Sequence, residues 1–172
     1  MEERPADQDS IISAVERAFA SVRRGAVTLH EAEVIDNYGT AVERLEAQRH
    51  DPQDDWRDVP DSSIKECPNA LHHLDPASWR FYLPAFMCFA LRRIERRHSL
   101  IDRVIYSLAL GDDRRLNDYA RTRFETLDRH QALAVHDFLE LASKNDAHSD
   151  APMAMQALEK YWRRAAAGWP CS

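Results

Sequence analysis

Glycine is scarce in this chain, with four residues in 172. That scarcity argues against a β-rich fold closed by many tight turns and against a glycine-cradled phosphate site. Cysteine is equally sparse. Cys67, Cys88 and Cys171 are odd in number, widely spaced and form no CxxC pair, which fits reduced thiols better than a disulfide framework or a zinc site. No apolar run approaches the roughly 20 residues that cross a bilayer. The segment Met1-Glu2-Glu3-Arg4-Pro5 lacks the apolar stretch of a signal peptide, so a cytoplasmic location without membrane association is expected. A basic excess is missing too. The net charge of −6 argues against a nucleic-acid partner, because neutralising phosphates needs a basic surface. Gly-x-Ser-x-Gly, Walker and dinucleotide fingerprints are all absent, and no cofactor is implied.

What is present is a globular balance of 44% apolar and 30% charged residues, enough for one domain spanning residues 1–172. The densest apolar stretch runs from Trp79 to Leu91 and holds Trp79, Phe81, Tyr82, Phe86 and Phe89. It must be buried, and it names the core. Pro84 lies inside it. A mid-helix proline costs about 3 kcal/mol, so a break near Leu83 is expected, with a helix restarting at Pro84 and running to about His98.

Helical spacing dominates elsewhere. Ile11, Ile12, Val15, Ala18, Phe19 and Val22 mark one helix over 10–22, with Asp9 or Ser10 as its cap, after a flexible segment 1–9. Thr28-Leu29-His30-Glu31 reads as a capping box, opening a stripe of Ala32, Ile35, Tyr38, Val42 and Leu45 that continues to about Gln48. Residues 49–63 form an acidic connecting loop, with Trp56 and Val59 pinning it onto the helices. Short helices are expected near Ile64–Cys67 and Asn69–Leu74. Asp75-Pro76, Ser99 with Asp102, Asp128 with Gln131, and Asp150 with Pro152 are further start signals; residues 115–124 are weakly helical, and 168–172 form a tail. Nothing alternates as a strand would. The expected fold is all-α, an irregular single-domain bundle of about six to eight helices without significant sheet.

Leu29-His30-Glu31-Ala32, Asp55-Trp56 with Pro60, Arg80-Phe81-Tyr82-Leu83-Pro84-Ala85-Phe86-Met87, and Gln131 with Phe138-Leu139 resemble a family of small uncharacterised bacterial proteins. Tyr-Leu-Pro-Ala-Phe-Met is the most specific string. The resemblance implies a bacterial source and a shared fold, and it carries over no functional residue.

Three groups of residues can carry chemistry. His30, Glu31, Glu33 and Asp36 cluster at a helix start, and His30 and Glu33 lie three apart, close enough to share one ion. Acids also suit a helix N-terminus without any ligand. His72, His73, Asp75 and Cys67 form a weaker set, because adjacent histidines diverge by about 100° on a helix. Finally, Arg92, Arg93, Arg96 and Arg97 share one arc of the expected 84–98 helix. There they either pair with acids near the carbonyl end or recognise phosphate or an acidic partner. The expected function is a non-catalytic, cytoplasmic bacterial protein-interaction module of immunity or adaptor type. A charged protein partner would be steered by segregated surfaces, Arg92, Arg93, Arg96 and Arg97 on one and Asp54, Asp55 and Asp58 on the other. The alternative is a metal-dependent or acid–base enzyme using His30, Glu31, Glu33 and Asp36, with His30, Glu33 and Asp36 as the metal ligands.

Overall fold

The computed structural model describes residues 7–96 and 98–168. In chain order these form α1 (Gln8–Ala18), α2 (Leu29–Asp36), α3 (Ala41–Gln48), a 3-10 turn (Trp56–Asp58) and α4 (Asp61–Glu66). A second 3-10 turn (Ala70–His72) leads into α5 (Pro76–Leu91), α6 (Ser99–Ser107), α7 (Arg114–Phe124) and α8 (Arg129–Ser143). The chain closes with α9 (Ala151–Ala157), a π turn (Leu158–Trp162) and α10 (Arg163–Ala167), which follow one another without a gap. No strand occurs among the described residues. The all-helical expectation holds, with nine helices among the described residues when the last three segments are counted as one, against the six to eight expected.

Helix α5 is the axis of the molecule. Asp75 caps it by accepting from the amides of Ala77 and Ser78 at 3.0 and 3.1 Å, and Pro76 occupies the first turn, where its missing N–H costs nothing. All residues from Phe81 to Leu91 are buried, as are Ser78 and Trp79. A helix apolar all round belongs inside, and α1, α4, α6 and α7 pack around it.

Two expectations about this segment are corrected. The helix runs through Pro84 without a break, and it stops at Leu91 instead of reaching His98. The proline penalty of about 3 kcal/mol is outweighed because each fully buried Leu, Phe or Met contributes about 1.5–3 kcal/mol, and α5 buries Phe81, Leu83, Phe86, Met87, Phe89 and Leu91. A break at Leu83 would pull half of that set out of register. Beyond Leu91 the backbone tightens: Arg93, Ile94 and Arg96 donate to the carbonyls three residues back, and Ile94 tucks into the core.

The single helix expected over 28–48 is also two. Tyr38 adopts a left-handed conformation (φ 56°), and the Tyr38 and Gly39 amides turn back onto the carbonyls of Ile35 and Val34 at 3.1 and 2.8 Å. That closes α2 with a Schellman-type cap. Thr40 then starts α3: its amide donates to the Glu43 carboxylate at 2.7 Å and its hydroxyl accepts from the Glu43 amide at 3.3 Å. At the first helix, Asp7 accepts from the Ser10 amide at 2.8 Å, so helical structure begins at Gln8, inside the segment expected to be flexible, and ends four residues before Val22. Ser99 and Asp102 form no box. Asp102 accepts from the Asp150 amide at 2.8 Å instead, tying α6 to the start of α9.

The remaining core is built by specific anchors. Trp56 donates from Nε1 to the Phe19 carbonyl at 3.0 Å, which pins the acidic loop to α1. Trp162 reaches the Leu108 carbonyl at 2.7 Å, and its ring joins Phe124, Tyr161 and Trp79 in one aromatic cluster. Gln131 accepts from Arg80 at 3.0 Å and donates to the Ala18 carbonyl at 3.1 Å, linking α8, α5 and α1. Gly25 is required by contact: a Cβ there would sit 2.3 Å from Ser78 Oγ and 2.4 Å from the Ser78 amide nitrogen.

Candidate functional sites

The structure takes His30, Glu33 and Asp36 to three different places. His30 Nδ1 lies 2.8 Å from Asp51 Oδ1, and the His30 amide donates to Asp51 Oδ2 at 2.9 Å. Its Nε2 lies 3.1 Å from Glu66 Oε2. Glu33 accepts from the Asn69 amide at 3.3 Å, and Asp36 pairs with His73 at 3.1 Å. Glu31 is buried and takes Arg44 through Nε and Nη2 at 3.0 and 2.7 Å, besides accepting from the Thr28 amide at 3.3 Å. Among the described residues no group of three or more His, Cys, Asp or Glu side chains converges as a metal site would.

His30 is a clasp. Partial burial disfavours its cation, but the hydrogen bonds to Glu66 and Asp51, together with their charges, outweigh burial and hold its pKa above the ordinary 6.5. Asp51 is itself buried, its carbonyl accepts from Arg24 at 2.5 Å, and the His50 ring lies 5.2 Å from that of His30. Sequence spacing gave no sign of the His30–Asp51 contact, because 21 residues of helix and loop separate the two. Cys67 and Cys88 are free and buried, with thiols pushed up to about 12 chiefly by burial, so neither is a nucleophile near neutrality. Cys171 lies outside the described residues. Of the histidine pair, His73 holds Asp36, while Asp75 serves as the α5 cap.

Asp61, near the end of the acidic loop, joins two of the arginines. Arg92 Nη2 and Arg93 Nη2 each take one oxygen of Asp61, at 2.8 and 2.7 Å. The Arg93 guanidinium also stacks 3.9 Å from the centre of the Phe89 ring. Partial burial of Asp61 opposes ionisation, but Arg93 and Arg92 outweigh it and hold the carboxyl below its usual range. Arg92, Arg93 and Arg96 line a groove of about 600 Å³ with Gln8, Asp61 and Glu95. Arg97 lies outside the described residues. Of the loop acids, Asp55 pairs with Arg57 at 2.5 Å, while Asp54 and Asp58 are exposed. Residues 51–66 thus form a strap held at Asp51, Trp56, Asp61 and Glu66.

A third feature lies on the α2–α3 hairpin. Tyr38, Val42 and Leu45, placed by their spacing on a buried stripe, are 97%, 65% and 60% exposed. The turn after Asp36 rotates α3 so that Ala47 faces the core and Val42 and Leu45 face out. The acids Asp36, Glu43 and Glu46 are exposed on the same two helices. Arg44, the only Lys or Arg within α2 and α3, is committed to Glu31. A groove of about 290 Å³, lined by Glu33, Val34, Asn37, Gly39 and Glu43, runs beside this face. The Thr40-x-x-Glu43 pattern that splits the two helices was readable in the sequence.

No described helix is long and apolar enough to cross a membrane. No curated protein and no solved structure matches the chain. A family model does match, over residues 7–166, and the chain belongs to that family of unknown function, DUF6714.

Proposed function

We propose that this member of a family without an assigned activity is a non-catalytic protein-interaction module, of adaptor or immunity type in a bacterial cytoplasm. Its docking face is the exposed apolar surface of the α2–α3 hairpin. The observation that carries this reading is the outward placement of Tyr38, Val42 and Leu45 within one short segment. Contiguous exposed apolar side chains rimmed by polar groups mark interaction sites, whereas single exposed ones need no explanation. The backbone at Tyr38 adds to the case. A left-handed non-glycine residue costs about 1–2 kcal/mol, and strain of that kind persists where a position serves function.

Charge selects the occupant. Asp36, Glu43 and Glu46 are exposed on these helices, Asp36 beside His73, Glu43 capping Thr40 and Glu46 without an ion pair among the described residues, while Arg44 is held by Glu31. The complementary partner is an amphipathic helical segment with apolar residues on one side and Lys or Arg along its flanks. Titrating a model helical peptide of alternating leucine and lysine faces into the isotopically labelled chain tests the reading. The result in its favour is a saturable shift of the Tyr38–Gln48 amides that Glu46→Lys weakens. Shifts confined to Leu116 or Leu133, which are also exposed, would place the interaction elsewhere. Sedimentation showing that the face pairs two copies of this chain would contradict it.

The acid–base enzyme alternative has less support, since both ring nitrogens of His30 already face carboxylates.

A further inference from the structure

The groove between the end of α5 and the start of α1 is organised around an oxyanion. Two guanidiniums approach one carboxylate from different residues and take separate oxygens of it, Arg92 on Oδ1 and Arg93 on Oδ2. Arg93 is held in that pose by its stacking on Phe89 and by its hydrogen bond from Nη1 to the Phe89 carbonyl at 3.3 Å. Arg96 lines the same groove and makes no ion pair among the described residues. Gln8, the first residue of α1, lines it as well. Three arginines against Asp61 and Glu95 leave this groove locally positive on a chain of net charge −6.

The geometry points to a binding site for the phosphate group of a small, polar phosphorylated ligand, with the Asp61 carboxylate as its internal competitor. Asp61 occupies the position that the ligand's oxygens would take between Arg92 and Arg93. A phosphate monoester carries up to two charges and three acceptor oxygens, against one charge and two oxygens for Asp61, so it can displace the carboxylate and engage Arg96 in addition. Planar guanidinium forks suit that exchange better than ammonium groups. A volume of about 600 Å³ falls within the range of small-molecule sites. The described lining residues are all polar or charged, and the Phe89 ring is covered by Arg93. The rest of the ligand is therefore polar, as in a sugar phosphate or a polyphosphate, and not a stacked base. This inference stands on the groove alone and does not depend on the α3 face.

Calorimetric titration of the full chain with pyrophosphate and with a hexose phosphate, at low and at moderate chloride, tests the assignment. The expected result is saturable one-to-one binding, tightened several-fold by Asp61→Asn, which removes the competitor. Binding should weaken about tenfold or more in Arg96→Gln, a change at an exposed unpaired side chain that leaves folding intact. Pyrophosphate binding without hexose phosphate binding identifies a polyphosphate site, and the reverse identifies a sugar phosphate site. No binding to wild type or to Asp61→Asn overturns the proposal, as does binding that Arg96→Gln leaves unchanged. Should Asp61→Asn fail to fold, wild type against Arg96→Gln decides the matter.

Discussion

Helix α5 and helix α3 both carry large apolar side chains, and their fates are opposite. Every residue of α5 from Phe81 to Leu91 is enclosed by neighbouring helices. In α3, Val42 and Leu45 face solvent, and Ala47 alone is buried. The difference lies in what covers each element. An apolar segment without a polar face has only one stable environment, whereas a short amphipathic helix of eight residues can turn its stripe either way, depending on the turn that precedes it. Apolar residues in α5 are therefore committed to the core, and Val42 and Leu45 in α3 are not.

The sharpest way to separate the two is truncation. Phe86→Ala should destabilise the fold by about 3–5 kcal/mol in denaturant titration, the range for losing a buried aromatic. Leu45→Ala should stay within about 0.5 kcal/mol, as exposed substitutions do. Gly25→Ala probes how closely the chain approaches the start of α5. Its Cβ would meet the Ser78 backbone nitrogen as well as the hydroxyl, so a loss of about 1–3 kcal/mol is expected, and Ser78→Ala should not rescue it.

The His30 clasp holds the strap beside α2, and its effect is a pH dependence. The pKa of His30 is raised in the folded chain. Its stabilisation is thus complete below the unfolded value near 6.5 and disappears as pH rises through the folded value. Melting temperature should fall as pH rises above the ordinary value of 6.5, and His30→Gln should remove that component of the slope. A small effect of opposite sign is expected at Tyr38. Replacing it with glycine relieves the left-handed backbone and should stabilise the chain by about 0.5–1 kcal/mol while weakening peptide binding, a gain at the α2 cap at the expense of the exposed surface.

Local signals were readable where the physics is local. The Asp75-Pro76 start and the Asp128 with Gln131 start both cap helices as the sequence implies, and Trp56 anchors its loop. The continuity of α5 through Pro84 was not readable from the proline alone, because burial from every side outweighs the local penalty. Pairing of Arg92 and Arg93 with Asp61, or of His30 with Asp51, depends on contacts across 21 to 32 residues that no periodicity encodes. The outward turn of Val42 and Leu45 follows from a left-handed Tyr38 one residue before the glycine that a helix end would favour. Gly39 itself is needed for another reason, since a Cβ there would lie 2.3 Å from Val34 Cγ1.

The central claim, that the α3 face is a docking surface and not part of the core, is tested most directly by the double variant Val42→Glu/Leu45→Glu, measured for melting temperature and for binding of the leucine–lysine helical peptide. The account predicts an essentially unchanged melting temperature together with loss of binding. A collapse of the melting temperature, or peptide affinity equal to wild type, would contradict it.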